Sequence, residues 1–330
     1  MSQYLLLKKV SVQNANAIAG LTYGFPAITN FLGFTHALSR KLPKNLAVKL
    51  GGVAVISHKN TVHARQPKGW GDYVFALSRN PLTQQGKTAP INEEGRMHMQ
   101  ISLLIEVNGL IAGDTETKEQ LIEHVKQKVP ELRLAGGQIT DIESIDLTPL
   151  NEEQKTLRKL MPGFALIDRS DHLTEHFQQQ KALNDNASLF DAWCDFSQLK
   201  FKAEKITNVA EQKVEEVGVV DQKAKWHYVA KPKSGYLVPI NTGYCAISPI
   251  YESGKVSNVR DATIPTVFAE SAYSVGEWKS IHNIKNIENT LWRYEHKYPW
   301  YVAKTTPFEV EIIVPDSSEF SSEIDEAMPY

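Results

Sequence analysis

Cysteines are scarce and long apolar runs are missing in this chain of 330 residues. The two cysteines, Cys194 and Cys245, are too few for a disulfide framework or a four-cysteine zinc site. The opening stretch MSQYLLLKKV holds an apolar run of only four residues, so neither a secretory signal nor a membrane span is expected there. These features predict a cytoplasmic protein with no membrane partner.

Signatures of catalysis are equally sparse. The sequence contains no G-x-x-x-x-G-K-[ST] loop, no G-x-G-x-x-G loop and no G-x-S-x-G elbow. The run HLTEH matches the H-x-x-E-H pattern of zinc peptidases, which makes a zinc hydrolase using His172, Glu175 and His176 one hypothesis. No third ligand is evident, so a solvated helix face is the favoured interpretation. We expect no cofactor and no resident metal.

Charge is divided along the chain, although the formal net charge is only −2. Residues 1–100 carry twelve Lys and Arg against three Asp and Glu, a net charge of +9, and the remaining residues carry −11. The basic residues are interleaved with aromatics and asparagines, as in the run HKNTVHARQPKGWGDY. This pattern favours contact between the first third of the chain and a polyanion.

Hydrophobic periodicity in the first 150 residues predicts an α+β fold. The predicted order is strand, helix, strand, strand, helix, strand, with Gly51-Gly52 forming a bulge or bend in the second strand. The predicted ranges are 4–12, 27–42, 46–56, 97–107, 117–129 and 132–145. This order is typical of a ferredoxin-like or RNA-recognition-type palm, in which two helices cover one face of a four-stranded sheet.

The remaining chain is predicted to form insertions and an extension around this palm. A polar insertion as long as residues 57–96 is usually a functional element, and we interpret it as a projecting basic arm with a strand at 73–77. The C-terminal α/β extension is expected to hold a strand and a mainly helical segment before a flexible insertion, and an acidic, disordered tail follows it. These predicted ranges are 151–315 for the extension, 162–168, 172–199 and 201–235 within it, and 316–330 for the tail.

Nucleic-acid chemistry suits the residues of the palm and its arm. Single-stranded RNA is held by cations at its phosphates, by stacking on rings and by amides at base edges. Two motifs keep plainer interpretations: Gly136-Gly137 fits a bulge beside another strand better than a ligand site, and Asn14 and Asn16 can satisfy turn amides. His36, on the first predicted helix, is the one candidate general base for a metal-independent endoribonuclease that processes RNA.

A set of collinear runs carries a family resemblance. These runs span roughly residues 4–310 and include SVQNANAIAG, LSRNPL, EEGRMHMQISLLIEV, LRLAGGQI, LMPGFALI, GYLVPINTGYCAISPIY, VSNVRDA and VGEW. Together they resemble the handle-binding subunits of type I-F CRISPR surveillance complexes, also called Csy or Cascade-type complexes. Those subunits belong to a repeat-associated RNA-binding superfamily built on ferredoxin-like palms with thumb-like arms.

The resemblance implies a non-catalytic scaffold in antiviral defence. Such a subunit holds the five-prime, repeat-derived handle of the CRISPR RNA, pairs with the large subunit and adjoins the first of the repeated backbone subunits. The assembled complex then binds target DNA through base pairing with the guide.

Roles for individual residues follow from this interpretation. Arg65, Lys68, Arg79 and Arg96 are predicted to contact phosphates, and Trp70 and His98 to stack on bases. Asn14, Asn16 and Asn80 are predicted to contact bases or sugars. Gly136 and Gly137, with Arg133, are predicted to let the RNA backbone approach closely, and Arg260 is a further candidate for RNA binding.

Overall fold

A single eleven-stranded sheet organises the protein, as seen in a computed structural model that describes residues 3–111, 113–149, 152–205 and 224–305. The strands are β1 Gln3–Asn16, β2 Ile18–Ala19, β3 Thr22–Tyr23, β4 Lys49–Val62, β5 Ala64–Arg65, β6 Val74–Arg79, β7 Ile91–Glu94, β8 Arg96–Asn108, β9 Arg133–Leu134, β10 Gly137–Asp141, β11 Ser144–Leu147, β12 Phe164–Asp168, β13 Lys200–Lys205, β14 Ala224–Val229, β15 Leu237–Ala246, β16 Ala269–Ser280, β17 Trp292–Lys297 and β18 Trp300–Thr305. The helices are α1 Ile28–Lys41, α2 Thr115–Lys128, α3 Glu153–Lys159, α4 Ser170–Leu183 and α5 Leu189–Cys194.

The six elements predicted in the first 150 residues are confirmed in type and order. Strands β4, β8, β1 and β10 are neighbours in that order, and every adjacent pair is antiparallel. The β4–β8 register shifts between Leu50 and Val53, which confirms the bulge expected at Gly51-Gly52. The fourth predicted strand is divided into β9, β10 and β11. Ala135 and Gly136, with φ values of 49° and 73°, turn the chain back on itself between β9 and β10, and β10 and β11 then pair with successive parts of β1.

Alternation along β1 explains how both faces of this sheet are used. Leu5 and Leu7 are fully buried with Phe31 of α1 and Leu121 of α2 in one core. Leu6 points the other way and belongs to a second buried cluster, which also contains Leu157 of α3, Leu160 and Ile284. Each fully buried side chain of this size stabilises the fold by about 1.5–3 kcal/mol. The palm sheet is therefore packed between α1 and α2 on one face and the C-terminal part of the chain on the other.

Strands of the C-terminal half continue the same sheet. They follow the order β12-β16-β15-β18-β17, and strands at both ends of this series also pair with β4, through Trp292↔Val53 and Ala165↔Ile56. Trp292 is fully buried and its indole N–H donates to the Leu166 carbonyl at 2.8 Å. The predicted strand at 162–168 and the helical character of 172–199 are confirmed by β12, α4 and α5.

Of two predicted segments, the structure describes one only in part and the other not at all. Inside the segment expected to be a flexible insertion, β13 and β14 pair as antiparallel strands over six residues each. The residues between them lie outside the described part of the chain, as does the whole of the predicted acidic tail. Within the described ranges, no helix combines the length and apolarity needed to cross a membrane.

Candidate nucleic-acid interface

One end of the palm sheet leaves its face polar and uncovered. Along β8, Met97 and Met99 are buried against the helices, whereas His98 is exposed on the other face. Directly paired residues share a face of a sheet, so the register extends this polar surface onto the neighbouring strands. We call it the open face; it comprises Ser11, Gln13, Lys59, Thr61, Arg96, His98, Gln100 and Gln138.

His98 is held at the centre of this face. Its Nδ1 accepts a hydrogen bond from the backbone N–H of Asn14 at 3.3 Å, which places the proton of a neutral His98 ring on Nε2. His63 lies edge-on to the His98 ring with centroids 4.2 Å apart. Burial, and secondarily the neighbouring His98, lowers the pKa of His63. The lowered pKa favours the neutral ring of His63, and the two rings together offer a surface for stacking.

Arg96 lies where the arm joins the palm. Its Nε donates to the Glu94 carboxylate at 3.0 Å, and its Nη1 donates to the Asn14 carbonyl at 3.5 Å. A Cβ built on Gly136 would lie 3.9 Å from the same Nη1, so the β9–β10 turn adjoins the guanidinium. Asn14, Arg96, His98 and Gly136, predicted separately from sequence, are therefore brought together here.

Two other predicted residues are occupied by the fold itself. Asn16 bonds to Ile18 with both ends of its amide, donating to the carbonyl at 2.7 Å and accepting from the N–H at 3.2 Å. A Cβ on Gly137 would lie 2.6 Å from the Gln13 carbonyl oxygen and 2.8 Å from the Ala15 nitrogen. These contacts match the plainer interpretations, an asparagine turn and close approach to a neighbouring strand.

The inserted arm continues from β4 and returns into β8. Strands β5, β6 and β7 pair within it, and Phe75 of β6 packs on Tyr23 of the palm with ring centroids 4.7 Å apart. Lys68 lies 5.7 Å from the Trp70 ring centroid, and the indole remains 71% exposed. Arg65, Arg79 and Asn80 are also exposed on the arm, and Arg79 donates to the Ala89 carbonyl at 3.5 Å.

The loop after β1 is fixed by a residue that the sequence did not single out. Gly20 has a φ of 62°, and a Cβ there would collide with the hydroxyl of Tyr273. That hydroxyl oxygen accepts a hydrogen bond from the Leu21 N–H at 3.0 Å. The glycine is required because a partner more than 250 residues away occupies its side-chain position. No local pattern in the sequence indicates this contact.

Three further candidates lie apart from the centre of the open face. Arg133 is exposed on β9 and pairs with Gln138 of β10, at the margin of this face. Arg260 is exposed in the loop between β15 and β16. His36 is exposed on α1, which covers the opposite side of the sheet, so the fold does not bring this histidine to the open face.

The HLTEH residues each have a local environment of their own. His176 Nε2 lies 2.8 Å from an Asp195 carboxylate oxygen, and Glu175 forms an ion pair with Lys233. The Nδ1 of His172 is buried and has no hydrogen-bond partner. In the described ranges, no three His, Cys, Asp or Glu side chains are grouped so that they could hold a metal ion.

The geometry defines a mixed α/β protein with mostly antiparallel strands, few helices and an open polar face beside a basic arm. Comparison with known families identifies a CRISPR-associated protein, because the family described as CRISPR-associated protein (Cas_Csy2) matches residues 5–302. The chain is also 37% identical over 311 residues to the CRISPR-associated protein Csy2 of Pseudomonas aeruginosa strain UCBPP-PA14, covering 89% of this chain and 92% of that relative.

The chain therefore belongs to the Csy2 family. This membership supports the interpretation of the chain as a component of a type I-F CRISPR Csy complex, which acts in antiviral defence. It does not favour the alternative of an RNA-processing endoribonuclease that uses His36.

Proposed function

We propose that this chain is a non-catalytic scaffold that holds the five-prime, repeat-derived handle of a CRISPR RNA. The open face carries this proposal. It is a polar sheet surface that no described segment covers, and it continues into the basic arm. Cationic and aromatic groups on such a surface suit the phosphates and unstacked bases of single-stranded RNA.

The strand order supports a ferredoxin-like palm of the repeat-associated RNA-binding type. In that fold the first and third strands are central, the second and fourth flank them, and two helices cover one face. Here β1 and β8 are central, β4 and β10 flank them, and α1 and α2 pack on the same side. The other face of the four strands is then available to a ligand wherever nothing covers it.

Charge pairing separates the cations that are free to meet RNA from those that are not. Lys8 and Lys9 both form ion pairs with Glu143, at 2.5 and 2.8 Å, and these hydrogen bonds lower the pKa of that carboxyl to about 2. The arm and the open face offer exposed cations instead, namely Lys59, Arg65, Lys68 and Arg79. We assign the phosphate contacts to this second group.

The partners in this proposal follow from membership in the Csy2 family. The scaffold pairs with the large subunit, adjoins a repeated backbone subunit and reaches target DNA only through the guide in the assembled cytoplasmic complex. A scaffold role fits the position of His36 on the helix-covered side and the separate partners of Glu175 and His176.

The test is to co-express the chain with its large-subunit neighbour, purify the pair at moderate salt and sequence the RNA that remains bound. We expect intact RNAs that share one five-prime end derived from the repeat. A pair that retains no RNA contradicts handle binding. Repeat RNA cut at one position by this chain alone, and protected by His36→Ala, contradicts the scaffold and favours a nuclease.

A further inference from the structure

An aromatic cleft lies where the palm meets the C-terminal strands, outside the site residues predicted from sequence. Two adjoining cavities of about 250 and 350 Å³ share three lining residues, Asn60, Tyr236 and Trp278. The first cavity extends past Asn241, and the second extends past Lys59 and Phe164. Together they reach the range of about 300–1,000 Å³ that is usual for small-ligand sites.

Of the two rings that both cavities share, Trp278 is held firmly by its neighbours. Trp278 meets Phe25 edge-on with centroids 4.8 Å apart, and Phe25 stacks on Phe31 of α1 at 5.6 Å. The backbone N–H of Trp278 donates to the Tyr236 carbonyl at 3.0 Å. Tyr236 and Phe164 are 70% and 52% exposed, so much of each ring faces solvent.

A few polar side chains, Asn60, Asn241 and His58, line the cleft beside these rings. Asn60 is exposed on β4, and Asn241 is buried and lines the first cavity. His58 is fixed, because its Nδ1 lies 2.7 Å from the Pro162 carbonyl, and its Nε2 lies 2.7 Å from the Ser102 hydroxyl. The carbonyl can only accept, so Nδ1 carries the proton and donates. His58 is therefore a rigid wall of the cleft, and the two amides supply its adaptable donors and acceptors.

The cleft is continuous with the open face through β4. Lys59 lines the second cavity and pairs with Gln100, an open-face residue of β8. Lys59 therefore belongs to both surfaces, so an RNA strand that follows the open face passes beside the cleft.

We propose that this cleft binds one unpaired nucleobase of the RNA, turned out of the strand that crosses the open face. The base stacks on the exposed rings of Tyr236 and Phe164 beside the fixed Trp278, the amides of Asn60 and Asn241 meet its polar edge, and Lys59 meets the adjoining phosphate. The inference deepens the proposed RNA-binding function and rests on it. It assigns one handle position to a defined site on the protein.

The test is a double-mutant cycle between protein and RNA in the assembled complex. Handle RNAs that each lack the base at one position are bound to the wild-type complex and to complexes carrying Tyr236→Ala or Asn60→Ala. Tyr228→Ala is the matched control, because Tyr228 of β14 is also exposed, at 52%, but does not line the cleft. Dissociation constants are measured at one fixed salt concentration.

We expect one abasic position to weaken wild-type binding by about 5- to 100-fold, and the same lesion to cost nothing further in the Tyr236→Ala complex. Asn60→Ala is expected to reduce discrimination among bases at that position alone. If removing a base weakens binding equally in the wild-type and Tyr236→Ala complexes at every position, the proposed base site is wrong, although handle binding itself still stands. A wild-type complex that binds no handle RNA overturns both.

Discussion

The two ends of strand β8 differ sharply on a single face of the sheet. Leu104 and Ser102 are buried at one end, Gln100 is half-buried, and His98 is exposed at the other end with Arg96 half-buried beside the arm. The side chains change from apolar to polar where the cover from α3 and the C-terminal segments stops. The open end is therefore suited to stay uncovered by the described part of this chain, because its polar residues cannot replace the packing of the covered end.

The largest expected effect lies in the core where β17 joins β4. Trp292→Ala removes a fully buried indole and its hydrogen bond to the Leu166 carbonyl, and we expect a loss of about 3–5 kcal/mol in the free energy of unfolding. Chemical denaturation measures this loss. Trp226→Ala, at a ring that is 66% exposed, is the control and is expected to change stability by less than about 0.5 kcal/mol. Equal losses in the two variants would contradict the burial contrast.

A smaller effect at the covered end depends on pH. Hydrogen bonds from Arg293 lower the pKa of Glu106 below 4.5, and the Gly52 N–H adds a further bond. A lowered pKa stabilises the fold above the ordinary carboxyl pKa, and this stabilisation is lost as pH falls below it. We expect Glu106→Gln to cost about 1.5–3 kcal/mol at pH 7 and progressively less below pH 4.5.

Thermal unfolding between pH 3 and pH 7 checks this dependence. Glu131→Gln is the control, because the Glu131 carboxylate pairs with Lys128 at the surface and its side chain is 52% exposed. Its cost is expected to stay well below that of Glu106→Gln throughout. A cost of Glu106→Gln that does not change with pH would show that the carboxylate charge contributes nothing there.

How far the sequence predicts this molecule also depends on the region. The palm elements were predictable because periodicity, Pro43 after α1 and the paired Gly51-Gly52 are local signals. The clustering of Asn14, Arg96 and Gly136 was not predictable, because residues far apart in sequence are brought together by a bulge in β1 and by the β9–β10 turn. The aromatic cleft was not predictable either, because its walls come from five separate strands, the first residue of α1 and two loops.

Two neighbouring residues of β8 separate binding from stability. His98→Ala removes a ring from the open face, and we expect RNA binding to weaken by about 1–3 kcal/mol with little change in the unfolding temperature. Met99→Ala removes a side chain that is 3% exposed in the core, and we expect it to reduce stability by about 2–5 kcal/mol. RNA affinity and melting temperature are measured on both complexes. Normal affinity in His98→Ala would remove this ring from the interface.

The smallest expected effect tests a single phosphate contact on the arm. Arg79→Ala is expected to weaken RNA retention slightly, and to reduce the slope of log affinity against log salt concentration by about 0.7 to 1. Arg260→Ala is the informative partner, because Arg260 is equally cationic and exposed but lies in the loop between β15 and β16. An unchanged slope in Arg79→Ala with a reduced slope in Arg260→Ala would move the path of the RNA from the arm toward the C-terminal strands. Reduced slopes in both variants would instead extend the interface across the two halves of the sheet, so the pair of measurements fixes the direction in which the strand leaves the open face.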